Sequence, residues 1–373
     1  MKTIIVLGSG MVGRVMAHDL SKDFEVTAAD VSPANLARLE GTSVKRLRAD
    51  LSSAAAVRDI VRRHDLVVGS VPGSMGYATL QAVISAGKDI VDISFFPEDA
   101  LRLDDDARKA GVTAVVDCGV APGMSNMILG YHAARMTVSR FECYVGGLPF
   151  RREFPFEYKA PFSPADVIEE YTRPARYVEN GHVVVKPALS DVENMDFPEV
   201  GTLEAFNSDG LRSLLATRKV PNMIEKTLRY PGHVERVRAL RDSGFFDREE
   251  VEAGGRKVRP LDVTSAILFK HWHLHEDDDE FTIMRIVVAG EEGGRPRRVE
   301  YGLFDRRDRA TGFSSMARTT GFPATAVARL ILAGKFGRKG VCPPEYVGAD
   351  EASFRAVMDE LAARNVVYKR TDK

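Results

Sequence analysis

Cysteine is scarce in this 373-residue chain. It has three, at positions 118, 143 and 342, and no spacing between them suits a metal site. A disulfide framework is not expected, and the usage fits a reducing cytoplasm. Net charge is nearly absent: 52 basic residues face 53 acidic ones, leaving −1 and no reason to expect nucleic acid or an anionic membrane as partner. No apolar run approaches the roughly 18 residues a membrane span needs, and no charged leader precedes the first strand pattern. Internal repeats and low-complexity linkers are missing too. The expectation is a soluble, cytoplasmic chain, 44% hydrophobic, too long for one ordinary core and sufficient for two.

The first third alternates two periodicities. Strand patterns fall at "TIIVL" (3–7), "EVTAA" (25–29), "VKRLR" (44–48), "LVVGS" (66–70), "DIVDI" (89–93) and "TAVVD" (113–117). Helical stretches begin near Met11, Pro33, Ser53, Met75 and Asp99. Strands joined by helices in this rhythm predict right-handed crossovers in a parallel sheet.

Between the first strand and the first helix lie Gly8, Gly10 and Gly13, and Asp30 ends the second strand, 22 positions beyond Gly8. A GxGxxG turn in this context points to a dinucleotide. Gly8 permits the tight turn, Gly10 the close approach of a pyrophosphate and Gly13 the packing of helix on strand. Backbone N–H groups around Ser9, Met11 and Val12 then face the phosphates. The Asp30 carboxylate accepts hydrogen bonds from a ribose diol and repels a 2′-phosphate, which favours NAD over NADP. Arg46 and Arg48 on the next strand lie within reach of the same region. Asp50 either sits beside the adenine or caps the helix of "DLSSAAAV".

Ligands on parallel sheets collect at the carboxyl ends of the strands. That rule places "SVPGSMG" with Val71 and Pro72, "DISFF" with Asp92 and Ser94, and "DCGVAPG" with Cys118 and Gly119 around a nicotinamide. No histidine accompanies Cys118 locally, so its thiol reads as packing rather than as a nucleophile.

From 138 to about 305 the segments are strand-like: "RFECYVGGLP", "RYVENGHVVVKPALS", "LDVTSAILFKHWHLH" and "EFTIMRIVVAG". Turn signals at "ENG" (179–181) and "EDDDE" (276–280) join some of them, which predicts a mixed or antiparallel sheet. Read as a strand, "HWHLH" puts His271, His273 and His275 on one face, a metal pattern or a solvated hairpin tip; no metal is expected. "RRDR" (306–309) reads as a solvated turn. "FPATAVARLILAGKFG" predicts a helix with Pro323 in its first turn. The expected architecture is α/β: a Rossmann dinucleotide-binding domain (1–122), an inserted α+β catalytic and dimerisation domain with a mixed sheet (123–313), and a segment (314–373) packing back on the first.

Several blocks, in order, carry a likeness along almost the whole chain: "VAPGMSN", "VGGLP" (145–149), "FSPADVIEEYTRPARYVENG" (162–181), "GTLEAFNSDGLRSLL" (201–215) and "KTLRYPGH" (226–233). They resemble the saccharopine dehydrogenase family, and most of all its shorter members, the NAD-dependent L-lysine 6-dehydrogenases. The resemblance implies a Rossmann domain completed by the C-terminal segment, an inserted catalytic domain and homodimers formed through it.

It also implies chemistry. Lysine dehydrogenases of this kind pass hydride from the ε-carbon to nicotinamide, and water opens the imine to 2-aminoadipate 6-semialdehyde and ammonia. Hydride leaves only from a neutral amine, and a free lysine amine has a pKa of roughly 10.4, so a basic working pH is expected. Arg229 in "TLRYPG", then Arg173 in "YTRPAR", are the candidates for the substrate carboxylate. Gly147 and Leu148 form a pocket wall, Asn207 and Asp209 take the ammonium or fix loops, and Asp92 and Tyr230 are the nominees for proton transfer. Saccharopine reductases tend to carry Asp where this chain has Ala121 and Tyr where it has Phe95, which shifts the expectation from saccharopine toward lysine. The alternatives are a saccharopine dehydrogenase acting on a secondary amine and a non-catalytic dinucleotide sensor.

Overall fold

Six strands, all but the third rich in Val, Ile or Ala, open the chain: β1 (Thr3–Leu7), β2 (Glu25–Asp30), β3 (Lys45–Arg48), β4 (Leu66–Gly69), β5 (Ile90–Asp92) and β6 (Thr113–Val115). Then come β7 (Thr137–Pro149), β8 (Ala175–Glu179), β9 (His182–Lys186), β10 (Glu193–Phe197), β11 (Gly201–Asn207), β12 (Asn222–Arg229), β13 (Val251–Ala253), β14 (Arg256–Val258), β15 (Glu280–Glu292) and β16 (Arg295–Arg306). The last two are β17 (Gly340–Cys342) and β18 (Tyr368–Asp372). The computed structural model describes residues 1–372. It divides into a first unit (Met1–Val138, Glu291–Arg295 and Ala317–Tyr368) and a second (Ser139–Gly290, Pro296–Met316 and the residues from Lys369). No helix among the described residues is long and apolar enough to cross a membrane.

The first unit holds a parallel sheet in the order β17-β6-β5-β4-β1-β2-β3. Every residue of β4, β5 and β6 is buried, as strands covered by helices on both faces must be. The chain steps outward from β1 to β3 and returns to β4, so the order reverses beside β1, where open parallel sheets bind ligands.

The C-terminal return is locked in twice. β17 adds to β6 in register, Gly340 to Thr113. The helices Met124–Ala133 and Pro344–Ala349 cross closely because Gly130 and Gly348 carry no side chain: a Cβ at either would overlap the backbone of Glu345 or Met127. The buried Asp19 of the helix Met11–Leu20 accepts from Arg329 (2.9 Å), Arg364 (2.8 Å) and Thr325 (2.8 Å). Burial works against its charge, but the two guanidiniums outweigh that and hold its pKa below the usual value.

The second unit holds a mixed sheet. β12 runs parallel to β7 and antiparallel to β11 and β8, while β8 carries the β9 hairpin on its other side. Leu148, Tyr158, Tyr171, Phe206, Trp272 and Phe281 share one buried core here. β13 and β14 form a separate two-stranded ribbon.

Two expectations are corrected. "LDVTSAILFKHWHLH" is not a strand: Pro260–His271 is a helix, entered through proline at its start. Thr264, Leu268 and Trp272, four apart, are its buried side, and that helical spacing overrides the β-branched composition. His271 ends the helix, and only His273 and His275 meet, ring edge to face at 4.5 Å. The three imidazoles therefore share no strand face, and no group of three His, Cys, Asp or Glu among the described residues suits a metal ion. The second correction concerns Pro323, which lies inside the helix Ser315–Leu332 rather than in its first turn. The helix begins eight residues before it, its first N–H groups accepted by a buried carboxylate described below. "RRDR" ties down the acidic turn before β15: Arg307 donates to the Asp278 carbonyl (3.0 Å) and Arg309 pairs with Asp279 (2.6 Å).

Candidate functional site

The glycine turn is built as its spacing requires. Gly8 has φ +92°, and a Cβ there would overlap the Ser70 carbonyl at the end of β4. The Gly8 N–H donates to Ala29 and the Ser70 N–H to Leu7, which stitches the turn between the carboxyl ends of β2 and β4 (both 2.8 Å). A Cβ at Gly13 would overlap the Gly8 carbonyl, so helix and strand can meet only with glycine there. Gly10 is different. A Cβ on it would meet nothing within 4 Å, and it begins the helix Met11–Leu20 with no side chain capping the first turn. The first turn of the helix is thus uncapped by any side chain and has clear space beside Gly10, the arrangement an anionic pyrophosphate fits.

Asp30 stands over this turn, almost fully buried. Its Oδ2 accepts from the Ser9 N–H (2.8 Å), the Ser9 hydroxyl (3.2 Å) and Asn35 Nδ2 (3.2 Å), and its Oδ1 from the Ser32 N–H (2.8 Å). The carboxylate organises the turn as well as marking the ribose position. Asp50 lies past the end of β3, exposed, where it accepts from the N–H and hydroxyl of Ser52. Those bonds hold its pKa below the ordinary value. The cap of the following helix is Ser53.

The other cofactor candidates follow β4, β5 and β6 on the same edge of the sheet. Val71 is buried and Pro72 opens the helix Gly73–Ser85. Asp92 is buried against Gly69, where a Cβ would strike its carboxylate, and it holds Ser94 through the N–H (3.1 Å) and the hydroxyl (3.0 Å). The Cys118 N–H donates to the Asp92 carbonyl (3.0 Å), and the Gly119 N–H to Pro122 (3.1 Å). Burial, with Asp92 and Asp117 nearby, pushes the Cys118 thiol far above its ordinary pKa. A thiol so placed is packed and unreactive.

In the second unit Arg229 ends β12 with its side chain only 2% exposed. It pairs with Glu170 (2.9 Å), donates to the hydroxyls of Tyr171 (3.2 Å) and Tyr158 (3.4 Å), and stacks 4.3 Å over the Tyr158 ring. His233 completes the group. Its Nδ1 faces the Phe156 carbonyl (2.8 Å) and so carries the proton, which makes Nε2 the acceptor for the Tyr171 hydroxyl (3.0 Å). Burial, then Arg229, pushes the His233 pKa down to about 3, so the ring is neutral at every working pH. Burial raises Glu170 despite Arg229, and lifts Tyr171 to about 12.

The remaining candidates have partners within the unit. Asp209 grips Arg176 with both oxygens (2.9 and 2.8 Å) and also accepts its N–H (3.1 Å). Asn207 Nδ2 donates to Ser190 (2.9 Å) and Asp191 (3.0 Å), while its buried Oδ1 has no partner. Arg173 pairs with Glu169 (3.3 Å). The Tyr230 hydroxyl donates to the Pro149 carbonyl (2.9 Å) beneath the Arg152 guanidinium. Gly147 leaves room for Met316 and Pro161, and Leu148 lies in the core.

Sequence reading missed Glu170, Tyr158, Tyr171 and His233 as a group, although three of them stand in the blocks "EEYTRP" and "YPGH". It also missed Glu280. This buried carboxylate accepts the N–H groups of Ser315 and Met316 (the latter 3.3 Å), and the Ser315 hydroxyl donates to the buried Asp305 (2.6 Å). Desolvation, opposed by those N–H groups and reinforced by Asp305, raises Glu280 to about 7.

Comparison with known proteins places both units. Residues 4–115 match the saccharopine dehydrogenase NADP binding domain and residues 119–367 the saccharopine dehydrogenase C-terminal domain. The chain is 23% identical to a saccharopine dehydrogenase (NADP(+), L-glutamate-forming) of Pyricularia oryzae, over 92% of this chain and 93% of that protein. It is 22% identical to the carboxyaminopropylagmatine dehydrogenase of Synechocystis, over 97% and 96%. It also matches longer alpha-aminoadipic semialdehyde synthases, of which it spans about half or less. The apo saccharopine dehydrogenase (L-Glu forming) of Saccharomyces cerevisiae shares the fold, with a TM-score of 0.79, 21% identity and full coverage of both chains.

Proposed function

Because the chain belongs to the saccharopine dehydrogenase family, as a dinucleotide-dependent dehydrogenase, we propose that it is an NAD-dependent L-lysine 6-dehydrogenase, converting L-lysine to 2-aminoadipate 6-semialdehyde and ammonia. Bound at the glycine turn, the dinucleotide supplies the two-electron acceptor. The protein's own part is to position and to select. Gly8, Gly10 and Gly13 with the N–H groups of Met11 and Val12 hold the pyrophosphate, and Asp30 the ribose. Val71, Pro72, Ser94 and the backbone of Cys118 and Gly119 line the ring end, with Ser94 oriented by Asp92. The proton nominee is Asp92, since the Tyr230 hydroxyl is donated to a carbonyl. Arg229 receives the substrate carboxylate, which takes the place of Glu170 as its partner. We also assign a homodimer formed through the second unit.

The observation that carries lysine over saccharopine is the apolar pair Phe95 and Ala121 in the loops after β5 and β6, which offers no polar side chain at those two positions for a second acidic arm. The name of the Pyricularia relative favours the other reading, a saccharopine dehydrogenase using NADP. NADH formation at basic pH with lysine and NAD supports the first. Silence there, with reduced cofactor consumed when glutamate and the semialdehyde are supplied, supports the second.

A further inference from the structure

A carboxylate at the end of β2 ordinarily separates NAD from NADP by repelling the 2′-phosphate. Here that repulsion is blunted from two sides. Asp30 already accepts four fixed hydrogen bonds, three on Oδ2 and one on Oδ1. A carboxylate offers about four lone-pair positions, so Oδ1 keeps room for one ribose hydroxyl, while the charge is spread into fixed donors and repels a phosphate less.

The second side is a cation. In the parallel pairing of β2 and β3, Asp30 stands opposite Arg48. The preceding pair, Ala29 and Leu47, points into the apolar core on the other face of the sheet, so Asp30 and Arg48 share the face that carries the glycine turn. β3 is the edge strand, and Arg48 is exposed. Its neighbour Arg46 is paired with Glu40, whereas Arg48 makes no ion pair among the described residues. An unengaged guanidinium beside the ribose position has the geometry and charge to grip a phosphate with two N–H groups.

We infer that Arg48 binds the 2′-phosphate of NADP, so that this site accepts both dinucleotides and Asp30 alone does not exclude the phosphorylated one. This rests on the dinucleotide reading of the glycine turn. The test is titration of NADH and NADPH, followed by the fluorescence of the reduced ring, on the full chain and on Arg48→Ala. The wild type binds NADPH within about tenfold of NADH; Arg48→Ala weakens NADPH by about tenfold or more and leaves NADH within about twofold. Added salt narrows the gap between the two proteins for NADPH only. NADH binding with no measurable NADPH binding, or equal loss of both in the variant, overturns the assignment while sparing the glycine turn. Failure of the wild type to bind either overturns both.

Discussion

The carbonyl of Gly8 occupies the space where a side chain on Gly13 would begin, whereas the same test at Gly10 meets only open space. The two glycines therefore fail differently when replaced. Gly13→Ala forces helix from strand and lowers the melting temperature, with an overpacking cost of about 1–3 kcal/mol. Gly10→Ala leaves the melt near wild type and weakens NAD by about tenfold or more, since its methyl group sits where the pyrophosphate approaches. Thermal melts and calorimetric titration of both variants read this out. Wild-type affinity in Gly10→Ala would move the pyrophosphate elsewhere.

Arg229 and Glu170 are a buried pair whose members are unequal once separated. Glu170→Gln strands a guanidinium that cannot lose its charge and is expected to cost about 3–5 kcal/mol. Arg229→Met strands a carboxyl group that burial already pushes up, so a proton neutralises it at a smaller cost, about 1–3 kcal/mol. In that variant Glu170 has a raised pKa, so stability is greatest below the unfolded carboxyl value, falls as pH rises from there to the folded value, and is level above it. Urea unfolding at pH 6 and pH 8 distinguishes the two; equal, pH-independent losses would mean that water reaches the pair.

Glu280 is raised from 4.5 to about 7 in the folded protein. Below the unfolded value both states carry the proton and nothing is lost. Between that value and about 7 the unfolded chain ionises first, and folding loses up to about 3 kcal/mol. Glu280→Gln does not titrate, so its stability relative to wild type should improve from pH 5 to about pH 7 and level off above that. A difference that stays flat across that window would place Glu280 as an ordinary ionised helix cap.

All three cysteines are free and buried, and Cys118 and Cys342 are pushed up by desolvation first of all. A chromogenic disulfide reagent should label none in the native protein within minutes and all three after denaturation. Cys118→Ala should keep dinucleotide affinity. Rapid labelling of one thiol in the folded protein, quenched by NAD, would instead put Cys118 at an open site.

Much of the first unit was legible because its signals are local. A strand, a glycine turn, a helix and an acid ending the next strand occupy one stretch of about 30 residues, and each obeys short-range sterics. The helix Pro260–His271 was misread because Val263, Thr264, Ile267 and Phe269 lend it strand-like residues, while the deciding pattern was the four-residue spacing of Thr264, Leu268 and Trp272. Pro323 misled in the same way, as a start signal within a helix whose true start is capped from β15 by Glu280.

By itself the sequence determined the parallel sheet, the glycine elbow and the acid at its rim, since turn sterics and strand periodicity act within a few residues. Tertiary structure alone decided which polar groups neutralise one another. Tyr171 and Tyr158 reach Arg229 from 58 and 71 positions away, and Asp209 reaches Arg176 from 33. Partners so far apart are chosen by the path of the chain and by the cost of burying a charge alone, and neither is written in the spacing of residues.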